Sequence, residues 1–146
     1  MRYRTDDTLR YVQFLARRFD KQDVKAVTLI ILFDLDIVPS NEGFDYLRKA
    51  IEMGIARSNM AVTKELYSMV SQTYGGHGIW APVEQAIRRA IQTAWNDRDE
   101  ETWDLFFPPR RGKKAKCPSN KEFIARIVCI IELWQSCKEV DYERVE

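Results

Sequence analysis

The chain has 146 residues, 45% of them hydrophobic and 31% charged, with a formal net charge of +1. That length favours one domain with a proper core, and the composition excludes a chain that is disordered throughout. The near-neutral balance excludes any argument for nucleic acid from global charge, so only the local distribution of charge is informative.

Residues 5–19 come first and read as a helix. Leu9, Val12, Ala16 and Phe19 share a face, with Tyr11, Phe14 and Leu15 beside it; Asp6 or Asp7 suits the first turn, and Arg17 and Arg18 the last. Core packing is expected of it. Residues 20–38 follow, with Val24, Val27, Ile30, Ile31 and Leu35 on one helical face and Leu29, Leu32 and Phe33 widening it, until Pro39 stops the helix. Asp34 and Asp36 stand two apart, so they point away from each other and form no paired-carboxylate site. Ser40 or Asn41 can cap a helix over 42–56, with Phe44, Leu47, Ile51 and Ile55 one turn apart. Residues 57–59 read as a connection.

Residues 63–74 form the next expected helix, with Leu66, Val70 and Tyr74 as its buried spine. Gly75-Gly76-His77-Gly78 breaks the chain, and residues 79–97, IWAPVEQAIRRAIQTAWND, resume it. Val83, Ala86, Ile87, Ala90, Ile91 and Ala94 keep the i, i+3, i+4 spacing of one face without a miss. Ala81, Gln85, Arg88, Arg89, Gln92 and Asn96 take the opposite face. Pro82 suits the first helical position, and Ile79 or Trp80 can brace the start. Helix, glycine turn and helix with a polar outer face is the outline of a helix-turn-helix.

A short acidic-started helix then runs to Phe107, with Trp103 and Phe106 expected in the core, and Pro108-Pro109 ends it. Residues 110–117 form a basic loop. Ser119 and Glu122 make a capping box for a last helix reaching Cys137, whose apolar face holds Phe123, Ile127, Ile130, Ile131 and Trp134, with Cys129 as a small core residue. The fold expected is all-α: a single helical domain of about six to seven helices containing a helix-turn-helix. Residues 1–20 form an N-terminal helical extension, 21–138 the helix-turn-helix domain and 139–146 a polar tail that frays.

The local charge is segregated. Residues 110–126 hold seven basic side chains and one acidic, while 97–104 hold five acidic and one basic. Such a map suits a polyanion-facing side and an opposite side.

No enzyme constellation is present in the sequence. The glycine turn lacks the Lys-Ser/Thr of a phosphate-binding loop, no serine sits in a nucleophile elbow, and His77 has no evident triad partners. Three cysteines without a C-x-x-C pair, and one histidine, are too few for a zinc site of the Cys/His type, so no metal or cofactor is expected. There is no signal peptide, and the longest apolar run, residues 29–33, is far too short for a bilayer. A cytoplasmic, reduced protein with no membrane partner is the expectation.

Double-stranded DNA is the partner this surface fits. In the major groove Arg bonds guanine, Gln bonds adenine and Glu accepts from cytosine. Glu84, Gln85, Arg88 and Arg89 supply all three chemistries within one turn and a half, and Ala81 shares their face. Lys113, Lys114 and Lys116, with Arg110, Arg111 and His77, are the candidate phosphate contacts, which position without specifying sequence. The plainer account of Glu84 and Arg88 is an exposed i, i+4 ion pair worth a few tenths of a kcal/mol. Both accounts can hold, since such a pair orients Arg88.

Three segments carry more than the outline. EQAIRRAIQTAW (84–95), FDYLRKAIEM (44–53) and KKAKCPSNKEFIARIV (113–128) come in one order and spacing. They resemble the C-terminal DNA-binding domains of the sporulation initiation response regulator, stage-zero sporulation protein A, from Val24 to Val128. The most specific pieces are Ala86-Ile87-Arg88 running to Ala94-Trp95, and the Lys-Ala-Lys loop before Asn120–Ala125.

The resemblance implies an all-α effector domain whose second motif helix reads bases and whose loop before the last helix reaches the phosphates. Glu84 and Arg88 match residue types that contact DNA in that family. Arg89 stands for a His there, keeping a donor, whereas Pro82 and Gln85 stand where the family has Arg, which implies a different target sequence. The turn at 75–78 is slightly longer and re-aims the helix. Too few residues precede the similar region for a receiver fold, so an effector-domain relative without a receiver domain is expected. The function implied is a sequence-specific transcriptional regulator, bound as a homodimer or in tandem because one helix reads few base pairs. The alternative is a protein-interaction module that keeps the fold and has lost specific DNA binding. A continuous basic face joining Arg88 to Lys114 favours DNA; acidic residues 97–101 lying between them favour the alternative.

Overall fold

The computed structural model describes residues 2–57 and 61–137. Its helices are α1 (Arg2–Arg18), α2 (Val24–Asp34), α3 (Glu42–Ala56), α4 (Lys64–Thr73), α5 (Trp80–Asn96), α6 (Glu100–Phe106) and α7 (Asn120–Ser136), with no strand among the described residues. Ser58 and Asn59, expected in a connection, and the tail 139–146 lie outside the described residues.

α3 is the central element and packs on α2, α4, α5 and α7. Its Phe44, Leu47, Ala50 and Ile51 are buried in one core with Leu66 and Val70 of α4, Val83, Ile87 and Ile91 of α5, Trp103 and Phe106 of α6, and Phe123, Ile127 and Trp134 of α7. Gly43 lets α3 cross α5 closely. A Cβ on Gly43 would collide with the Ala86 carbonyl and stand 2.8 Å from the Ala90 Cβ. The position of α5 is therefore set by contact of small residues with backbone. α1 packs on α6 and α7, adding Val12, Leu15 and Ala16 to the same core.

The structure departs from the sequence reading at several ends and faces. α1 begins at Arg2, so Asp6 and Asp7 fall in its second turn, and its buried stripe is Val12, Leu15 and Ala16, leaving Leu9 and Phe14 exposed. α2 is shorter than residues 20–38 at both ends. Its C-terminus closes as a Schellman motif: Asp36 N–H reaches the Phe33 carbonyl and Ile37 N–H the Leu32 carbonyl, each at 3.0 Å. Asp36 takes the left-handed position at φ 58°, where glycine is usual, and Leu35 and Ile37 are buried on either side of it.

In α4 the buried set is Leu66, Tyr67 and Val70. Tyr74 is exposed, its ring packing edge-on against Tyr46 and its hydroxyl donating to the Asp45 carbonyl at 3.1 Å. Cys129 is exposed and not a core residue. The buried stripe of α7 runs through Phe123, Ile124, Ile127, Ile130, Ile131 and Trp134, and position 129 is turned about 100° from Ile130, off that stripe.

Candidate nucleic-acid interface

α4 and α5 form the helix-turn-helix. The end of α4 is a second Schellman motif, with Gly75 N–H on the Gln72 carbonyl at 3.1 Å and Gly76 N–H on the Ser71 carbonyl at 2.8 Å. Gly75 has φ 80°, and a Cβ on Gly76 would collide with Ser71, so the glycine pair is what the turn requires.

α5 starts two residues earlier than expected, at Trp80. Pro82 is therefore its third residue rather than its first, still within the turn whose N–H groups lack helical partners. Ile79 is 61% exposed and braces nothing; Trp80 does, half-buried, with the Lys64 ammonium 4.6 Å from its ring centroid.

The two faces of α5 separate as the spacing predicts. Val83, Ala86, Ile87, Ala90, Ile91 and Ala94 are buried, whereas Gln85, Arg88, Arg89 and Gln92 are exposed and Ala81 and Glu84 half-buried. Arg88 donates to the Glu84 carboxylate at 2.8 Å. The pair lies on the outer face with Arg88 more than half exposed, so it adds little stability and mainly orients the guanidinium.

Arg110, Arg111, Lys113, Lys114 and Lys116 are all exposed on the loop between α6 and α7. A turn closed by Lys113 N–H on the Arg110 carbonyl at 2.9 Å, with Gly112 at φ 76°, shapes the loop. Aromatic packing holds its base: Phe107 stacks on Phe123 at 5.1 Å, and Trp103 tilts against both. Arg126, the last cation of the basic segment, donates through Nε to the Phe106 carbonyl at 2.7 Å and serves the fold by ending α6.

Two adjoining hollows join the helix to the loop. One, of about 530 Å³, is lined by Lys64, Tyr67, Glu84, Arg88, Gln92, Lys116, Asn120 and Lys121 among others. The other, of about 760 Å³, is lined by Arg110, Lys113, Lys114, Lys116 and Arg126 among others. They share Lys116, Cys117, Pro118 and Glu122, and residues 97–101 line neither. The structure thus brings Glu84 and Arg88 together with Lys116, and through it with Lys113, Lys114 and Arg110. Ala81, Gln85, Arg89, His77 and Arg111 line neither hollow; His77 is exposed in the glycine turn.

Sequence reasoning passed over Lys64, Tyr67, Asn120 and Lys121 as parts of this surface. Lys64 was legible only as a residue in the first turn of an expected helix, and Lys121 as one cation of a basic run. Asn120 stood in the segment that carries the resemblance, but a helix N-terminus accounts for an Asn there and nothing pointed to a contact with α5. In the structure Asn120 is buried, and its amide Nδ2 donates to the Glu84 main-chain carbonyl at 3.0 Å, linking the start of α7 to α5. Burial pushes the Tyr67 phenol up from its ordinary range; the neighbouring Asn120 amide and Arg88 oppose the shift, and nearby Glu84 raises the phenol further. The capping box is formed as expected, with Glu122 accepting from Ser119 N–H at 3.0 Å and Glu122 N–H reaching the Ser119 hydroxyl at 3.1 Å. Those Ser119 bonds hold the Glu122 carboxyl below its usual range, and Lys116 and Arg110 add to the effect.

Among the described residues, no His, Cys, Asp and Glu side chains are grouped to hold a metal ion, and no helix is long and apolar enough to cross a membrane. A family model described as sporulation initiation factor Spo0A, C terminal, matches residues 28–131. The match begins within α2, takes in the helix-turn-helix and the basic loop, and ends within α7, leaving α1 outside. The chain belongs to the Spo0A C-terminal family of DNA-binding effector domains.

Proposed function

We propose that this chain is a sequence-specific DNA-binding transcriptional regulator of the cytoplasm that lays α5 in the major groove of double-stranded DNA. Arg88 and Arg89 read guanine, Gln85 reads adenine, Glu84 accepts from cytosine, and Ala81 meets the groove beside them. Lys113, Lys114, Lys116, Arg110, Arg111 and, from the turn, His77 hold phosphates on either side. A homodimer or a tandem pair extends the site beyond the few base pairs one helix can read. Catalysis is no part of this role, and no cofactor enters it.

The observation that carries this reading is the pair of adjoining hollows running from Arg88 through Lys116 to Lys114, in which cations outnumber the carboxylates Glu84 and Glu122 and which residues 97–101 do not line. A predominantly cationic strip beside a polar helix face suits a phosphate backbone flanking a read groove. The test is selection from a random-sequence duplex pool at several salt concentrations, with Lys114→Ala beside the wild type. A single enriched motif is expected. Lys114→Ala should weaken binding to all sequences alike and flatten the salt slope by about one. Absence of any enriched motif, with weak binding lost at modest salt, overturns the reading in favour of a protein-interaction module.

A further inference from the structure

We infer that Asn120 is a positioning residue for base reading, one that fixes the rotation of α5 against the basic loop. The inference rests on the DNA-binding reading above. Asn120 is the first residue of α7, directly after the loop that carries Lys113, Lys114 and Lys116. Its amide has two N–H donors. One goes to the main-chain carbonyl of Glu84 at 3.0 Å, across 36 residues of chain. A single side chain of 8% exposure thus joins the reading helix to the foot of the phosphate-contacting loop, in a hollow that Tyr67 of α4 also lines.

The seam between α5 and α3 shows why such a clasp matters. Gly43, Ala86 and Ala90 meet there and fix the crossing distance, while Val83, Ile87 and Ile91 seat the inner face of α5 in the core. Base reading demands a finer alignment than a seated core face requires. A turn of α5 of a few degrees moves the tip of an arginine side chain by a large fraction of a hydrogen-bond length, and bidentate contacts tolerate little of that. The carbonyl of Glu84 already serves Arg88 N–H within the helix, and its second lone pair takes the Asn120 amide without loss. The clasp grips α5 at the residue whose side chain orients Arg88, the point where rotation would misplace the reading side chains first.

The phosphate contacts need no such precision. Their attraction is long-ranged and their side chains are long, so loosening the clasp should reduce specificity and leave non-specific affinity intact. That separation identifies a positioning role.

The test uses the full chain and the duplex motif enriched by the wild type, measured beside a scrambled duplex across a salt series. Two uncharged variants serve, Asn120→Leu and Asn120→Ser. Asn120→Leu removes the donors at nearly constant volume, adds no charge to the surface that faces phosphate, and leaves the Glu84 carbonyl its helical partner. The expected result is a fall of about five- to tenfold in the ratio of motif to scrambled affinity, the equivalent of one hydrogen bond. Affinity for scrambled DNA and the salt slope should stay at wild-type values. Asn120→Ser, too short to reach the Glu84 carbonyl, should show a fall of the same kind. A wild-type ratio in both variants, whatever their melting temperatures, overturns the inference and leaves the DNA-binding reading standing. Equal weakening on both duplexes also overturns it, because it marks Asn120 as a residue that serves the fold alone. A wild type with no preferred motif removes both readings together.

Discussion

Arg88→Ala separates the two accounts of the Glu84–Arg88 pair by magnitude. As an exposed i, i+4 ion pair, with Arg88 at 56% and Glu84 at 28% side-chain exposure, it contributes about 0.3–0.5 kcal/mol to the fold. The melting temperature of the variant should therefore stay close to that of the wild type. As a base-reading arginine, the same side chain is worth about 1–3 kcal/mol of discrimination at one base pair, or about 5- to 150-fold in affinity. The two figures differ enough for one variant to decide. Fluorescence anisotropy should be run on the enriched duplex and on each single-base change at every position. Arg88→Ala is expected to lose affinity for the motif and to become indifferent to base identity at one position, with its other preferences kept. Glu84→Gln should lower the same discrimination partially, since it leaves Arg88 present but no longer held by a charge at 2.8 Å, and should also alter the preference at the base that Glu84 itself reads. Uniform weakening on all duplexes would refute the reasoning and make Arg88 another phosphate contact. An unchanged profile would refute it more completely, removing α5 from the groove.

Gly43→Ala should destabilise the protein by about 1–3 kcal/mol despite the gain in helix propensity, because the new methyl meets the Ala86 carbonyl rather than a movable side chain; chemical denaturation measures this, and a more stable variant would contradict the close crossing. Asp36→Gly should stabilise by about 1 kcal/mol, relieving both the left-handed backbone and a carboxylate at a helix C-terminus, offset in part by the freedom glycine adds to the unfolded chain. The caps predict an acid response. Hydrogen bonds from Ser119 hold Glu122, and those from Thr102 hold Asp99, below their ordinary ranges, so their stabilisation is complete above the ordinary carboxylate pKa and is lost as pH falls through the depressed values. Glu122→Gln, which still caps, should lose less stability than the wild type in that acid window, as thermal melts across pH would reveal.

The sequence was most legible where one periodicity had no competitor. The six apolar residues of α5 are all buried because the helix lies across α3 with a single face inward, and the Ser119–Glu122 box forms because it needs only local geometry. Helix ends were less legible. α2 stops at Asp34 because Asp36 accepts a left-handed backbone that a reader assigns to glycine, and α1 buries Val12, Leu15 and Ala16 because its partners, α6 and α7, arrive from distant sequence. The helix-turn-helix and its basic loop were visible as separate strips of polar and charged residues. Their junction was not, since it depends on Asn120 meeting a main-chain carbonyl 36 residues away, and no spacing rule encodes that.

The clasp on α5 has a further consequence for how such a surface can change. Asn120 grips residue 84 by its main chain, and a carbonyl is present whatever side chain stands there. The inward face of α5 is committed to the core, while Gln85, Arg88, Arg89 and Gln92 touch little of it. Substitutions on such an exposed face usually cost within about 0.5 kcal/mol of stability. Positions 84, 85, 88, 89 and 92 together form a replaceable lettering on a fixed mount. New binding preferences can be written there one residue at a time, by selection or in the laboratory, with each intermediate still folded and still aimed in the same direction.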